Sequence, residues 1–415
     1  MRLGDVANAG AADHGRPLDG VRVLALEQMQ SLPFATQLLA RLGADVVKIE
    51  HPGDGESGRQ ALPAMADPHG RRVGATFLRN NLNKRSVGID LKSPKGRELV
   101  LELAGRFDVV AENFRAGALD RMGLGYRDVS ARHPAVIYAS ISGFGSTVPS
   151  PYRDWPAYAA ITEAMSGIYE YQRRGDEPPV VGPVGALGDI GTALFAAVGI
   201  LAALRHRDHT GQGQHLDVAM FDAMVAMTDV VTNFWSLGQR GGAGDLTVIM
   251  DGFRAGDGWI VIQVARDHQF LKLVELVGEP ALAADPRFAE RAGWRAHLDA
   301  VLRPAIERWA SRRTMVQACE QLARAGIPAG PCFAAGDLVH DPHVAGHHML
   351  VEVPRTDGVA EPVLVPGNPI KLSKMAEGPE TRVPWVGEHT DEVLKAELGL
   401  DDPVLADLRD RGVIS

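Results

Sequence analysis

The sequence predicts an α/β fold organised around a parallel β-sheet, and two features carry this prediction. Short runs of β-branched and apolar residues alternate with longer helical patterns through the first third of the chain. Helices of this length between strands are typical of βαβ units with right-handed crossovers. We therefore expect parallel strands, with ligands bound beyond their carboxyl ends.

The elements of this region follow from apolar runs and helix caps. The segment 32–43 repeats leucine at helical spacing and ends at a glycine, a common residue just past a helix. The segment 93–106 begins with Ser93 as N-cap and Pro94 at the first helical position. Continuous apolar runs predict buried strands at 21–27, 45–50, 107–113 and 135–145.

A different pattern follows a long apolar run at 190–204. The segment 211–227 indicates a turn, a strand and a helix, and 253–266 places an Asp-Gly turn between two β-type stretches. Helical patterns then continue to about residue 324. We expect a separate, smaller domain here, and a return to the first domain after the Gly/Pro-rich segment 326–332.

Composition and charge exclude several classes of partner. The chain has 415 residues, of which 45% are hydrophobic and 23% charged, as in soluble globular proteins. Its formal charge is −9, and it contains no long Lys/Arg run, so we expect neither nucleic acid nor a membrane as partner. The N-terminus lacks the apolar stretch of a secretory signal, and the run 190–204 is shorter than the roughly 20 residues that span a bilayer. We expect a cytoplasmic protein.

One glycine motif matches a nucleotide-binding pattern by spacing alone. The sequence GDGESG at 53–58 fits the spacing G-x-G-x-x-G directly after a predicted strand. A dinucleotide fingerprint would open a helix facing a pyrophosphate, whereas Asp54 and Glu56 would repel phosphate. We expect a flexible loop.

Four histidines cluster in HDPHVAGHHM, at 340–349. Imidazole is a common metal ligand, so a metal site is one alternative. Since cysteine is absent from the cluster and Asp341 is its one carboxylate, we expect a structural or solvated role and no metal.

Basic residues gather on two predicted loops near strand ends. They are Arg79, Lys84 and Arg85 on the first loop, with Arg115 and Arg121 on the second. One alternative is solvated surface charge. The other is recognition of the phosphates of a nucleotide-like ligand, for which arginine offers a planar fork and lysine a point charge.

A single carboxylate, Asp189, precedes the apolar run 190–204. It has two interpretations: an N-cap that accepts a backbone N–H, or a nucleophile. The positive end of a helix favours the ionised carboxylate, and an apolar surround leaves that carboxylate poorly hydrated and reactive. The residues alone leave both interpretations open.

Several ordered motifs carry a resemblance to a known family. They are PLDGVRVLAL, LPFATQLLARLGADVVKIEHPGDG, NLNKRSVGIDLKSPKGRELV, AENFRAGALDRMGLGY, GALGDIGTALFAAVGILAALRHRDHTGQGQHLDVAM and GIPAGP. From about residue 17 onward the chain resembles the class III coenzyme A transferases, the CaiB/BaiF family that contains formyl-CoA and carnitine CoA transferases. The resemblance implies an enzyme that moves coenzyme A (CoA) from an acyl-CoA donor to a carboxylic acid.

The resemblance also implies the catalytic residue. Asp189 stands where the family carries its nucleophile, which forms an aspartyl anhydride and then an aspartyl-CoA thioester. The triplet at 157–159 reads Ala-Tyr-Ala, where the 2-methylacyl-CoA racemases of the family would carry Gly-His-Asp. The alternatives are such a racemase, an intramolecular CoA isomerase of the same fold, or a CoA-binding protein without catalysis.

Family positions further imply the residues that contact substrates. For CoA they are Gln28, Met29, Gln30, Ser31, Lys84, Asn113, Phe114, Arg115, Arg121 and Met122. For the substrate pocket they are Tyr158, Gly241 and Gly242, the two glycines lying in a segment similar in position to a shielding loop of formyl-CoA transferase. His51 occupies a place where relatives carry an arginine.

The family fold implies a large Rossmann-like domain built from both chain ends and a small inserted α+β domain. The boundaries that we expect are a disordered tail at 1–16, the large domain at 17–205 and 326–415, a linker at 206–228 and the small domain at 229–325. Two chains are expected to interlock as a homodimer.

Overall fold

The structure is a computed structural model that describes residues 1–173, 175–182, 186–239 and 247–415. The described chain divides into two units. Unit 1 contains Met1–Asn233 and His343–Ser415, and unit 2 contains Phe234–Pro342.

The helices and strands are numbered in chain order. The strands are β1 Arg22–Leu26, β2 Asp45–Glu50, β3 Ala64–Ala66, β4 Arg72–Gly74, β5 Lys84–Gly88, β6 Val109–Glu112, β7 Ile137–Ser142, β8 Gln214–Ala219, β9 Ile249–Arg254, β10 Trp259–Val264, β11 Ala329–Pro331, β12 Leu350–Val353 and β13 Val363–Pro366. The helices are α1 Ser31–Arg41, α2 Ala75–Asn80, α3 Pro94–Ala104, α4 Ala118–Arg121, α5 Tyr126–Arg132, α6 Ala159–Met165, α7 Ile168–Gln172, α8 Leu187–Thr210, α9 Met220–Met227, α10 Asp267–Leu276, α11 Arg291–Ala296, α12 Arg303–Ala310, α13 Met315–Arg324, α14 Ala335–Val339, α15 Pro342–Gly346, α16 Thr390–Leu398 and α17 Asp402–Asp410.

A six-stranded parallel sheet forms the centre of unit 1, which confirms the predicted α/β class. Its order is β5-β2-β1-β6-β7-β8, and each neighbouring pair is parallel. Counting only these six strands, the order is 3-2-1-4-5-6, that of doubly wound nucleotide-binding sheets. The order reverses between β1 and β6, which is where such sheets bind ligands.

The two faces of the sheet are covered by two separate cores. Along β1, Leu24 and Leu26 face the core that contains α3, α16 and α17, while Val23 and Ala25 face the core that contains α1 and α8. This alternation is the two-residue period of a strand. Since both faces are buried, the strands are continuous apolar runs, and this is why they could be predicted from the sequence.

Helix α8 is longer than the apolar run that predicted it. One face packs small residues such as Ala193 and Ala196 against α1 and the sheet. By length and composition the whole helix, Leu187–Thr210, could cross a membrane, a test that the core helix of a soluble protein also passes, and half of its apolar window is buried. The other face carries exposed apolar residues, at Leu187, Leu194, Phe195, Val198 and Leu201.

Two segments of unit 1 differ from expectation. The first sixteen residues, expected to be disordered, contain a 3-10 helix at Ala9–His14, and Ala7 exchanges backbone hydrogen bonds with Glu377. The segment 206–228, which was expected to be a linker, contains strand β8. The mixture of polar and apolar side chains in β8 did not indicate that it would pair within the central sheet. It pairs with β7 from Gln214 to Ala219 and so belongs to the sheet.

Unit 2 is built on a three-stranded antiparallel sheet, β11-β10-β9. The predicted Asp257-Gly258 turn joins β9 to β10. The backbone N–H of Ala255 donates to the carbonyl of Gly258 across this turn. Helix α13 begins with a capping box formed by Thr314 and Gln317. The core of this unit contains Phe253, Phe270, Trp294, Leu298 and Ile306.

Candidate active site at the carboxyl ends of the parallel strands

A cavity of about 310 Å³ lies in unit 1 at the point where the strand order reverses. It is lined by the segments that follow β1, β6 and β7 and by the first turn of α8. The lining residues include Gln28, Met29, Gln30, Ser31, Ser57, Asn113, Phe114, Arg115, Phe144, Arg153, Trp155, Tyr158, Asp189 and Met220. The structure therefore brings together here most of the residues that the resemblance assigned to CoA, the substrate pocket and catalysis, although they are far apart in the chain.

The loop after β1 is held to the loop after β6 by one side chain. The Asn113 amide accepts from the backbone N–H of Gln28 at 2.9 Å, and it donates to the carbonyl of Gln28 at 2.9 Å. Both ends of the amide are thus engaged with backbone groups. Asn113, which was predicted to contact CoA, lines the cavity, and its amide fastens the two loops on either side.

The segment GDGESG, expected to be a flexible loop, supports the same cavity wall. Glu56 is buried, and its carboxylate accepts from the backbone N–H groups of Met29 at 2.9 Å and Gly58 at 2.7 Å. Met29 has φ 63°, a left-handed conformation that is unfavourable for a residue with a side chain. The hydrogen bond from Met29 to Glu56 stabilises that conformation, so the expectation of flexibility is wrong for Glu56.

Lys84 does not reach the cavity, although the resemblance assigned it to CoA. Its ammonium is fully buried and donates to Glu27 Oε1 at 2.7 Å, to the carbonyl of Pro33 at 2.9 Å and to Asn81 Oδ1 at 3.0 Å. These three bonds use all three ammonium protons. Burial lowers the pKa of Lys84 to about 8, and the facing carboxylate of Glu27 opposes that fall. Lys84 therefore has a structural role inside the unit.

Asp189 is the third residue of α8, inside the first turn rather than at the N-cap, which is Ala186. Within the described residues its carboxylate receives no hydrogen bond. Burial raises the pKa of Asp189 to about 6, the charge of Glu163 adds to the rise, and Arg79 opposes it. The helix N-terminus was expected to favour the ionised form, and the pKa of Asp189 nevertheless rises because burial has the larger effect.

A second carboxylate that the sequence did not indicate lies beside Asp189. Glu163 on α6 accepts from the backbone N–H of Gly188 at 2.8 Å, and its other oxygen accepts from the hydroxyl of Tyr169. It is 5% exposed. A single acidic residue on a short helix forms no recognisable sequence motif. The hydrogen bond between Gly188 and Glu163 could therefore be found only from the packing of α6, α7 and α8.

Aromatic residues form another wall of the cavity. Phe144 packs edge-on against Trp155 and Phe221, and Tyr152 packs against the same two rings. Tyr158, predicted to line the substrate pocket, lies on this side of the cavity and is largely exposed. The predicted pocket residues Gly241 and Gly242 lie outside the described residues.

Three arginines lie close to Gly117, and two of them, Arg115 and Arg153, line the cavity. A Cβ placed on Gly117 would lie 3.3 Å from Nη1 of Arg121 and 4.0 Å from Nη2 of Arg153, with the Asp120 carboxylate at 3.9 Å. Arg115 donates to a backbone carbonyl. Across the described parts of the chain, no carboxylate lies within ion-pair distance of these guanidinium groups. The sequence had indicated two of the three; Arg153 was missed because its loop carries no basic cluster.

A second cavity of about 230 Å³ adjoins the first, sharing Gln28, Ser57 and Phe114 with it. It lies at the ends of β2 and β5. Its apolar lining comprises Ile49, Ile89, Leu91, Phe114 and Met122, and its polar lining includes His51, Asp90 and Lys92. Met122, which the resemblance assigned to CoA, and His51, which stands where relatives carry an arginine, therefore lie in this second cavity.

The histidine cluster does not group its side chains as a metal site would. His343 and His347 stack at 4.0 Å between ring centroids, and His348 contacts Glu377. Apart from the stretches that the structure leaves undescribed, no three His, Cys, Asp or Glu side chains are grouped so that they could hold a metal ion.

A doubly wound sheet with a cavity at its switch point is the arrangement in which α/β proteins bind ligands at the carboxyl ends of the strands. The sequence model of CoA-transferase family III matches residues 18–390. The chain belongs to this family and is a CoA-transferase of that class.

Relatives and a solved structure match more than nine-tenths of the chain. The chain is 36% identical to the succinyl-CoA:mesaconate CoA-transferase of Haloarcula hispanica, over 91% of this chain and 95% of that protein. It is 34% identical to the formyl-CoA:oxalate CoA-transferase of a Bradyrhizobium species, over 96% and 97% of the two chains. A CaiB/BaiF family protein from Brucella suis superposes with a TM-score of 0.79 at 33% identity, covering 92% of this chain and 99% of that one.

Proposed function

We propose that the protein transfers CoA from an acyl-CoA to a carboxylic acid, with Asp189 as the covalent nucleophile. One observation carries the proposal: a carboxylate without a hydrogen-bond donor among the described residues lines the cavity at the strand ends. A carboxylate that is poorly solvated is a stronger nucleophile toward an acyl carbon. Its pKa of about 6 leaves it mostly ionised at neutral pH.

The two cavities suggest how CoA would bind. The adenosine would occupy the apolar cavity beside Phe114 and Met122, and the phosphates would meet the arginines around Gly117. The pantetheine arm would then run between the loops after β1 and β6 toward Asp189. Arginine binds phosphate oxygens through parallel N–H bonds, so guanidinium groups without a carboxylate partner near Gly117 favour this direction.

The chemistry proceeds through acyl transfers that conserve the thioester energy. Asp189 attacks the thioester carbonyl of the donor, expels CoA thiolate and forms a mixed anhydride. The thiolate attacks the aspartyl carbonyl, which releases the donor acid and leaves an aspartyl-CoA thioester. The acceptor carboxylate attacks that thioester carbonyl and gives a second anhydride with release of thiolate. The thiolate finally attacks the acceptor's acyl carbon, which forms the new acyl-CoA and frees the Asp189 carboxylate.

The exposed face of α8 supports the expected homodimer. Val198 is 65% exposed, and Leu194, Phe195 and Leu201 extend the same stripe. An apolar stripe of this length on a surface helix is typical of a protein interface. We propose that a second copy covers it, in the interlocked arrangement of the family. Because interlocked chains cannot separate while folded, we expect Val198→Asp to lower the yield of dimer on refolding from urea, as measured by analytical ultracentrifugation. A cytoplasmic location stays a prediction.

The test of the proposed function is Asp189→Ala, with Asp222→Ala as its matched control. Asp222 is the third residue of α9, as Asp189 is of α8, and it is exposed. We expect Asp189→Ala to abolish transfer and to keep CoA binding by calorimetry, while Asp222→Ala keeps both. Hydroxylamine added during turnover should modify Asp189, as seen by peptide mass spectrometry.

Three results would contradict the proposal. Transfer retained in Asp189→Ala would exclude this nucleophile. CoA binding without any hydroxylamine adduct or transfer would favour a binding protein. Deuterium uptake at the α-carbon of a 2-methylacyl-CoA, without transfer, would favour a racemase.

A further inference from the structure

We propose that Glu163 is a positioning residue for Asp189: its carboxylate fixes the first turn of α8 and places a second negative charge beside the proposed nucleophile. The inference rests on the proposed role of Asp189 and extends it to a residue on a different helix.

The first part of the argument is geometric. Gly188 is the residue immediately before Asp189, and its N–H is one of the free donors of the helix N-terminus. Glu163 Oε1 accepts this N–H at 2.8 Å. The backbone on which Asp189 stands is therefore tied to α6, and the Tyr169 hydroxyl holds the other oxygen of Glu163 from α7.

The second part concerns why this acceptor is a carboxylate. A glutamine of the same shape could accept from Gly188 with its carbonyl and donate to the Tyr169 oxygen with its amide. Packing and hydrogen bonding alone thus do not require a charge. Among the residues that the structure describes, no lysine or arginine lies within ion-pair distance of Glu163. The negative charge of Glu163 therefore acts on Asp189 without a local counter-ion.

The charges around Asp189 come from several elements. Glu163 of α6 raises its pKa and Arg79 of α2 lowers it. Titratable groups on the other elements packed against α8 have their own partners or are solvated. On α1 Arg41 pairs with Glu380, on β8 Asp217 accepts from Thr147 and His215 contacts Ser140, and on α9 Asp222 is exposed. Burial is the larger cause of the raised pKa of Asp189, and Glu163 is the acid whose charge adds to it.

The functional consequence is a more basic nucleophile. A carboxylate with a higher pKa donates its electrons more readily to an acyl carbon, while it must still be ionised at the working pH. A pKa of about 6 satisfies both requirements at neutral pH. Glu163 would add to the effect of burial on this balance without touching the substrate.

The experiment compares Glu163→Gln with two control variants. In the wild type, kcat/KM for acyl-CoA should fall on the acid side around pH 6 and reach about one tenth of its plateau at pH 5. In Glu163→Gln the fall should begin at lower pH, so that a larger fraction of the plateau rate is kept at pH 5. Glu170→Gln removes an equivalent charge from an exposed site on α7, and Tyr169→Phe removes a hydrogen bond without removing the charge. Neither control should shift the fall of kcat/KM at acid pH, the acid limb of the profile, to lower pH.

The pKa of Asp189 is also measured without turnover, by carbon-13 NMR of aspartate labelled at its carboxyl carbon. The Asp189 resonance is identified by its loss in Asp189→Asn. A lower titration midpoint in Glu163→Gln supports the inference, and an unchanged midpoint in a folded variant overturns it. A lower midpoint with an unmoved acid limb would instead count against Asp189 as the nucleophile, so the two proposals fail separately.

Discussion

Replacing Asp189 by asparagine should stabilise the protein at alkaline pH while removing its activity. Burial and Glu163 raise the pKa of Asp189 from 3.8 to about 6. A carboxyl whose folded pKa lies above its unfolded pKa favours the folded state when protonated. That contribution is complete below about pH 4 and is lost as pH rises through about 6.

The magnitude follows from the size of the shift. About two pKa units correspond to roughly 3 kcal/mol of unfolding free energy, as an upper value. The asparagine side chain is neutral at every pH, so Asp189→Asn should exceed the wild type by up to about 3 kcal/mol at pH 8 and by almost nothing at pH 4. The gain of Asp189→Asn at pH 8 equals the free energy of unfolding that the wild type loses because its Asp189 carboxylate is ionised at that pH.

The assay is urea unfolding of both proteins at pH 4.5, 6 and 8, followed by tryptophan fluorescence, with Asp222→Asn as control. The exposed control should show no pH-dependent difference from the wild type. Equal stability of wild type and Asp189→Asn at pH 8 would refute the account of a poorly solvated carboxylate. A loss of stability in the variant at that pH would do so as well.

Three further predictions concern residues around the site. Lys84→Met should cost up to about 3 kcal/mol of unfolding free energy in urea, because it removes the nearer of the two ammonium groups that face the buried Glu27 and leaves Lys48 at 3.5 Å. Glu56→Ala should raise KM for acyl-CoA more than it lowers kcat in steady-state kinetics, because it releases the loop after β1. Arg153→Gln should weaken CoA about tenfold in calorimetry and leave pantetheine unchanged, whereas Arg312→Gln in unit 2 should change neither.

Each of these predictions has a contrary outcome. A well-folded Lys84→Met protein with weakened CoA binding would restore the cofactor role that the resemblance assigned to this lysine. Unchanged KM in Glu56→Ala would show that the loop holds its conformation without the carboxylate. Equal losses for CoA and pantetheine in Arg153→Gln would place the phosphates elsewhere.

The parallel sheet could be predicted because its evidence is local. Strand β2 was predicted with its observed bounds, and the N-cap Ser93 begins α3 as expected, accepting from Gly96. Strand β5 was missed, because Lys84 and Arg85 at its start indicated a basic loop. A strand whose polar residues are paired inside the fold carries no apolar run to reveal it.

The candidate site could be predicted in part, through Asp189 and the loops after β1 and β6. Asn113 and Lys84 were assigned direct contacts, yet the structure engages their polar groups with Gln28 and Glu27. A sequence contains donors and acceptors but does not say which of them meet. The residues that it left out, Glu163 and Arg153, approach the site from helices and loops distant in the chain.

By itself, the sequence determined the alternation of strands and helices, the carboxylate ahead of an apolar helix and the motifs of the family. These are properties of neighbouring residues, set by periodicity, capping and composition. Only the tertiary structure decided which charges are buried in pairs, which stand without a carboxylate partner beside the cavity and which acid lies against Asp189. Desolvation and Coulomb interactions depend on distance and burial in space, and neither is encoded in the order of the residues alone.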